Sequence, residues 1–319
     1  MAAKCRLPEP VYNSSAGFIK SYTNTLYDKI DEARIKCTRL EHIWRHASET
    51  IILKDLTDLD KVYRSYKKNN YLYDFTDFLE KFLLLDDDLI PGFDTLYVDE
   101  SQDLSRLQWQ VVNKIAARAK KVYVAGDDDQ SIYTWAGADL STFLSLFGIA
   151  KEKIILNQSY RVPRAIHKVA LDIIDKLKLR ISKPYQPTPD EGQVTSYASW
   201  ADFVSMCNKN RYKDKPDKWL ILARNNSQLD HARLTLSDIG IDPKIHKQFK
   251  LSTIHSAKGS EEDNVVLITD IGRRAKLACL DHQQRQDDEM RLFYVAVTRA
   301  KKTLHIIKPE TIYNYEIAA

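Results

Sequence analysis

The sequence has few of the residues that mark special structural classes. It contains only four cysteines in 319 residues, and no two of them form a C-x-x-C pair. This spacing argues against a disulfide framework and predicts reduced thiols in an intracellular, cytoplasmic protein. Nine glycines and ten prolines are too few for a collagen-like or linker-like chain. No apolar run approaches the roughly 18 residues that a membrane-spanning helix needs, and the first residues lack the apolar segment of a secretory signal.

The composition is that of an ordinary globular protein with material for two domains. Apolar residues make up 44% of the chain and charged residues 29%, and domains average roughly 150 residues. Charge is uneven: residues 151–319 hold 29 Lys and Arg against 21 Asp and Glu, whereas residues 1–150 hold 19 against 23. The basic second half is compatible with a polyanionic partner, and equally with a solvated basic surface.

Hydrophobic periodicity divides the chain into a helical part followed by α/β parts. Apolar residues recur at helical spacing from about residue 14 to 85, so we predict a helical region over 1–92. The next two parts, 93–158 and 159–319, alternate short apolar runs with helical patterns, which predicts parallel sheets. A further helix is expected over Asp287–Lys302, and the proline-rich stretch 181–192 predicts a loop. The predicted strands are Phe93–Val98, Lys121–Ala125, Val194–Ala198, Trp219–Ala223, Asn264–Ile268 and Leu304–Ile307.

Two groups of polar residues follow predicted strands. Asp99 and Glu100 come directly after the first strand, where ligands bind in open α/β sheets. One carboxylate there could hold Mg²⁺ while its neighbour accepts a proton from an attacking water. After the second strand, a glycine, three acids and Gln130 precede Tyr133 and Trp135. These two aromatics could stack on splayed bases or fill a hydrophobic seam.

Five segments in this order resemble the motifs of UvrD/Rep/PcrA-type superfamily 1A DNA helicases. DESQD and GDDDQSIYTWAGA are similar to motifs II and III. The later motifs IV, V and VI are matched by LNQSYR, LSTIHSAKGSE and RLFYVAVTRAK. The resemblance implies RecA-like, P-loop NTPase-type parallel sheets, one partial and one complete, with a helical insertion. Residues 1–92 would be a remnant of the family's 1B region, 93–158 the partial first RecA-like domain and 159–319 the second.

The resemblance also implies a role for each matched residue. Asp99 would coordinate Mg²⁺, Glu100 would act as base, and Gln130 would sense the γ-phosphate of ATP. Arg161 and Arg299 would reach the same phosphate and neutralise developing charge; without the motifs, both would be read as members of ordinary surface ion pairs. The remaining implied contacts are with adenine (Tyr160), ribose (Glu261) and single-stranded DNA (Tyr133, Trp135, Thr253 and His255).

The sequence departs from the family at its phosphate-binding loop. No G-x-x-x-x-G-K-[ST] segment occurs in it, although such a loop cradles the β- and γ-phosphates of the nucleotide. The family's adenine-reading glutamine motif is also absent. We therefore expect a second polypeptide that completes the first sheet and carries the loop. In motif V, Glu262 occupies an aromatic position, and about ninety residues between Arg161 and Leu251 are too few for the family's 2B insertion.

Two weaker patterns lie in the helical region. Cys37, His42 and His46 have a spacing that can bind zinc, but packing explains them more simply. The tyrosine- and lysine-rich stretch 63–73 could follow a nucleic-acid backbone or pack as a helix. The resemblance thus implies an ATP-dependent helicase or translocase that moves 3′ to 5′, and the missing loop predicts that the chain is one piece of a split enzyme. The alternatives are a catalytically inactive helicase-like module that binds DNA or a replication partner, and a truncated remnant.

Overall fold

A computed structural model of the protein describes residues 22–47, 50–209, 217–281 and 283–317. The chain forms two compact units. The first comprises Met1–Asp127 and Tyr133–Leu146, and the second comprises Asp128–Ile132 and Phe147–Ala319. The chain therefore enters the second unit for five residues and then returns to the first. Among the described residues, no helix is both long and apolar enough to span a membrane.

The first unit begins with helices, as predicted. They are α1 (Tyr22–Ile35), α2 (Leu40–Arg45), α3 (Leu53–Asn69) and α4 (Phe75–Leu83); residues 1–21, 48 and 49 of the predicted region lie outside the described residues. Apolar residues at helical spacing on α1 and α3 meet in a core that includes Leu26, Ile30, Leu56 and Leu59. Helix α4 begins at a capping box, because Asp74 accepts the Asp77 N–H and the Asp77 side chain accepts the Asp74 N–H.

A buried ion cluster joins these helices. Arg34 lies 2.8 Å from Asp74 and 2.6 Å from Asp77, and Lys67 lies 2.6 Å and 2.7 Å from the same two carboxylates. The Tyr63 hydroxyl also donates to Asp74, at 2.8 Å. Tyr63 and Lys67 are therefore engaged inside the helical region. This favours packing over nucleic-acid contact for that part of the 63–73 stretch.

A strand–helix–strand unit follows, as the apolar runs predicted. Strand β1 (Phe93–Val98) precedes helix α5 (Arg106–Ala116) and strand β2 (Ala119–Val124), and helix α6 spans Leu140–Ile149. The two strands are parallel, with Thr95 opposite Lys121 and Val98 opposite Val124. Tyr97 and Tyr123 stack with their ring centroids 5.2 Å apart, and Tyr97 is 75% exposed. The first unit thus carries a two-stranded sheet with aromatic side chains open to solvent.

The second unit contains a five-stranded parallel sheet in the order β3-β7-β6-β4-β5. The all-buried strand β4 lies inside this sheet, as expected for strands covered on both faces. This architecture confirms the predicted α/β class with parallel sheets. Its elements are α7 (Arg164–Ile174), β3 (Gln193–Tyr197), α8 (Trp200–Lys209), β4 (Trp219–Ala223), α9 (Asn226–Asp238), β5 (Phe249–Thr253), β6 (Glu262–Ile268), α10 (Arg273–Asp281), α11 (Gln283–Val297) and β7 (Ala300–Ile307).

Two boundaries differ from the sequence-based expectation. The helix predicted to reach Lys302 ends at Val297, because Ala300 already pairs with Glu262 in the parallel sheet. Strand β5 was not among the predicted strands, since FKLST has only a weak apolar pattern. The loop predicted over 181–192 is confirmed, with one isolated bridge between Gln158 and Gln186.

Candidate functional site

The acidic turn after β1 has an unusual backbone. Val98 ends the strand as a buried residue, whereas Asp99 and Glu100 are exposed. Glu100 adopts a left-handed conformation (φ 48°, ψ 35°), which residues other than glycine rarely occupy. The Asp99 Oδ1 atom accepts the Glu100 N–H at 2.8 Å. Both carboxylates thus lie at the carboxyl end of the strand, where the sequence predicted them.

Gln102 holds the Glu100 side chain in place. Its Nε2 atom donates to Glu100 Oε2 at 2.6 Å, while its Oε1 atom accepts the Asp127 N–H at 3.0 Å. Gln102 is fully buried, so this amide has a fixed position between the turns that follow β1 and β2. Sequence reasoning assigned Gln102 no role, although its place two residues after Glu100 in DESQD was the available signal.

Because Gly126 has no side chain, Gln102 can occupy the space beside it. A Cβ atom at position 126 would lie 2.6 Å from Gln102 Oε1, 2.8 Å from Ser101 Oγ and 3.0 Å from the Phe143 ring. Ser101 is itself fixed, since its hydroxyl donates to the Ala125 carbonyl at 2.5 Å. A side chain at position 126 would therefore displace the residue that orients Glu100.

We expect Gly126→Ala to destabilise the first unit by about 1–3 kcal/mol, because overpacking forces neighbouring side chains from their positions. Gly148→Ala is the control: it lies near the end of helix α6, just inside the second unit, and its added Cβ meets no heavy atom within 4 Å apart from its chain neighbours and the backbone of its own helix. It should be neutral or stabilise the protein by about 0.5–1 kcal/mol through helix propensity. Chemical denaturation followed by circular dichroism measures both changes. Equal effects of the two substitutions would contradict the proposed packing at Gly126.

The aromatic turn after β2 presents Trp135 to solvent. Trp135 is 61% exposed, and its ring lies 6.3 Å from that of Tyr133 at an interplanar angle of 61°. Burial, with the nearby charges of Asp103 and Glu100, raises the pKa of Tyr133. Gly137 closes the turn at φ 95°, a conformation suited to glycine. A side chain this exposed does not fill a hydrophobic seam, and stacking of Trp135 on a base stays a prediction.

In the second unit, Gln130 lies beside Arg299. Arg299 Nη2 is 3.4 Å from Gln130 Oε1, and Lys258 Nζ donates to the Gln130 carbonyl at 2.9 Å. Arg299 is only 2% exposed, and its Nε atom donates to the Val295 carbonyl at 2.9 Å. Burial and the positive charge of Arg161 lower the pKa of Arg299 to about 10, so the guanidinium remains charged at neutral pH. The second unit therefore brings together two residues with predicted γ-phosphate roles.

Arg161 is paired with the residue expected near the ribose. Its Nε atom donates to Glu261, and Lys301 lies 3.5 Å from the same carboxylate. The hydrogen bond from Arg161 lowers the pKa of Glu261. Tyr160, expected near adenine, is 92% exposed. Arg161 thus makes the ion pair that the simpler interpretation expected, and phosphate binding by this residue stays a prediction.

Thr253 and His255 lie at the carboxyl end of β5. The Thr253 hydroxyl donates to Ser256 Oγ at 3.0 Å and accepts the Ser256 N–H at 3.3 Å. Burial, together with the charge of Arg224, lowers the pKa of His255 to about 4. His255 is therefore neutral at physiological pH. A contact of His255 with DNA would use a hydrogen bond rather than a positive charge.

The structure also shows the surroundings of Glu262 and of the possible zinc ligands in the helical region. Glu262, which stands at an aromatic position of motif V, is buried and pairs with Lys250. Its N–H donates to the Arg299 carbonyl at 3.1 Å. Cys37, His42 and His46 do not form a metal-ligand cluster within the described part of the chain. His42 and His46 instead pack their rings 4.4 Å apart.

The structure thus divides the predicted site residues between the units. Asp99, Glu100, Tyr133 and Trp135 belong to the first unit. The second unit contains the remaining ones: Gln130, Tyr160, Arg161, Thr253, His255, Glu261 and Arg299. The unit boundaries fall at 127/128, 132/133 and 146/147, whereas the sequence placed Gln130 in the part that ends at residue 158. The parallel strands and helices of the two units define an α/β protein.

Comparison with known proteins agrees with this class. The model of the UvrD/REP helicase N-terminal domain matches residues 11–148, and that of the UvrD-like helicase C-terminal domain matches residues 202–311. The chain therefore belongs to the UvrD/Rep-like family of DNA helicases, as its motifs predicted.

Individual relatives cover different shares of the chain. A probable DNA helicase of Mycoplasma pneumoniae is 28% identical over 271 residues, which are 77% of this chain and 51% of that protein. The ATP-dependent DNA helicase PcrA of Bacillus subtilis is 34% identical over 154 residues, or 43% of this chain and 20% of PcrA. An arterivirus helicase bound to DNA matches with a TM-score of 0.39 and 18% identity, over 67% of this chain and 39% of its own. The chain spans about half the length of the Mycoplasma protein and about a fifth of PcrA.

Proposed function

We propose that this chain supplies the hydrolytic and coupling residues of an ATP-driven translocase that moves 3′ to 5′ on single-stranded DNA. The observation that carries the proposal is the contact in the second unit between the half-buried Gln130 and the buried Arg299. A buried, charged guanidinium is costly to maintain, and a module that only binds DNA has no chemical use for one placed beside an amide. The 3′–5′ direction rests on the resemblance of the motifs.

The first unit would supply the metal ligand and the base. The Asp99 carboxylate is exposed, and a hard carboxylate oxygen suits Mg²⁺; when bound, Mg²⁺ neutralises charge on phosphate oxygens. Glu100, held by Gln102 at 2.6 Å, would accept the proton of the hydrolytic water. Arg161 and Arg299 would stabilise the negative charge that develops on the transferred phosphoryl group.

The phosphate-binding loop would come from polypeptide outside these 319 residues. The sequence contains no G-x-x-x-x-G-K-[ST] segment, and within the described residues β1 and β2 form a sheet of two strands. Proteins usually cover or pair the edges of a sheet, and Tyr97 and Tyr123 are exposed on this one. A strand that bears the loop would extend this sheet and complete the triphosphate site.

Single-stranded DNA would bind through the aromatic turn and the β5 end. The exposed Trp135 ring offers a stacking surface, with Tyr133 beside it. Thr253 and the neutral His255 would add hydrogen bonds. Such contacts tolerate any base, since every base has a face on which an aromatic ring can stack.

We expect Trp135→Ala to weaken binding of oligo-dT by about 5- to 150-fold, since one base–aromatic stack is worth about 1–3 kcal/mol. Fluorescence anisotropy of a labelled oligonucleotide measures this change. Tyr71→Ala is the control, because Tyr71 is an exposed aromatic of the alternative 63–73 stretch. If Tyr71→Ala weakens binding and Trp135→Ala does not, DNA binds the helical region and the proposal for motif III fails.

A further inference from the structure

The five-residue segment 128–132 carries two carboxylates into the interior of the second unit. Asp128 and Asp129 are each 1% exposed, although the chain on both sides of the segment belongs to the first unit. Buried carboxylates are rare unless they are paired. The segment that bears Gln130 is therefore held by specific partners rather than by apolar packing alone.

Those partners come from the loop after α7. Lys183 Nζ lies 2.5 Å from Asp128 Oδ1 and 3.0 Å from Asp129 Oδ2. Arg180 donates to both oxygens of Asp129, from Nε at 3.0 Å and from Nη2 at 2.8 Å. The Ile181 N–H donates to Asp128 Oδ2 at 2.7 Å. Because the planar guanidinium of Arg180 donates to both oxygens of Asp129, it fixes the orientation of that carboxylate as well as its position.

The backbone of the segment has partners of its own. Arg291 on α11 donates to the Asp128 carbonyl at 3.0 Å and, through Nη2, to the Leu179 carbonyl at 2.7 Å. Lys258 donates to the Gln130 carbonyl. Arg291 thus connects the loop after α7 to segment 128–132. These contacts of the segment are made by Gln130 itself and by the two residues before it.

We propose that Arg180 and Lys183 are positioning residues that fix Gln130 beside Arg299. This inference rests on the proposed function, in which Gln130 senses the γ-phosphate. The two basic side chains act through Asp128 and Asp129 and do not themselves touch nucleotide. Removal of their charge takes from two buried carboxylates the positive partners that Arg180 and Lys183 supply, so the segment moves toward water and carries Gln130 away from Arg299.

Amide hydrogen exchange, measured on this chain alone, tests how segment 128–132 is held and needs no enzymatic activity. Arg180→Gln with Lys183→Met should speed exchange at residues 128–132 by about tenfold or more, since buried unpaired charge opens the structure locally. The charge-keeping pair Arg180→Lys with Lys183→Arg should restore most of the protection. Lys302→Met, which removes an exposed ion pair with Asp263, is the control. If the double variant does not fold, Lys183→Met alone is measured, and unchanged exchange at 128–132 in a folded variant overturns the proposal.

A double-mutant cycle tests whether Arg180 acts through Gln130. With a polypeptide that carries the phosphate loop, Arg180→Gln should lower kcat for ATP while KM stays unchanged. In a Gln130→Ala background the same substitution should cause no further loss, because the residue through which it acts is gone. If Arg180→Gln lowers kcat by the same factor in the Gln130→Ala background, Arg180 does not act through Gln130. If the wild-type chain hydrolyses no ATP in any mixture, the proposed function fails, and the exchange measurement alone decides the placement of the segment.

Discussion

Glu100→Gln is expected to lower single-stranded-DNA-stimulated ATP hydrolysis by about 10²- to 10⁴-fold, the usual contribution of a positioned general base. Glutamine keeps the size of the side chain and can still contact Gln102, but it cannot accept a proton from water. Asp99 remains available for Mg²⁺ in this variant. Steady-state release of phosphate, measured with saturating oligo-dT and the loop-bearing polypeptide, reports the change.

Two comparisons make the Glu100 result specific. DNA affinity should be unchanged in Glu100→Gln, because Glu100 is not among the proposed DNA contacts. The exposed residue Glu152 provides the matched control, and Glu152→Gln should hydrolyse ATP like the wild-type chain. Full turnover by Glu100→Gln would show that another group takes the proton, and would remove the acidic turn after β1 from the mechanism.

Arg161→Ala is expected to lower kcat for ATP by about 10³-fold or more, which is the range measured for arginines that stabilise phosphoryl transfer. In the structure Arg161 pairs with Glu261. Phosphate binding would have to replace that contact, and Lys301, 3.5 Å from Glu261, would then remain to compensate the carboxylate. Because Arg161 is partly exposed, its loss should affect turnover far more than stability.

Arg164 provides the control for Arg161. It lies three residues further along, is exposed, and approaches its carboxylate partner Glu191 only to 3.9 Å. Arg164→Ala should leave kcat unchanged, since an exposed ion pair contributes little. Equal turnover by Arg161→Ala and Arg164→Ala would mean that Arg161 is a surface ion-pair residue, as its contact with Glu261 would suggest in isolation.

The parts of the fold that the sequence predicted are those with strong local signals. The run Trp219–Ala223 is wholly apolar, and it forms the all-buried strand β4 with the predicted bounds. Asp99 and Glu100 follow an apolar run directly, so their position at the end of a strand follows from chain order alone. Helical spacing likewise identified α1 and α3, which bury Leu26 and Leu56.

The parts that the sequence did not predict depend on contacts between distant residues. Arg180 is 51 residues from Asp129 along the chain, and Lys183 is 55 residues from Asp128. Nothing in the residues near either partner indicates these pairs. Strand β5 was missed for the same reason, since FKLST is stabilised by its pairing with β4 rather than by its own pattern. Gln102 acquires its role only when the turns after β1 and β2 come together.

The most direct test of the account is steady-state ATP hydrolysis by this chain mixed with a polypeptide that carries the G-x-x-x-x-G-K-[ST] loop, with and without oligo-dT. A loop whose lysine is replaced by alanine serves as the control. Turnover is expected only when the chain, an intact loop and DNA are all present. Absence of turnover with every loop-bearing polypeptide encoded beside this chain would contradict it.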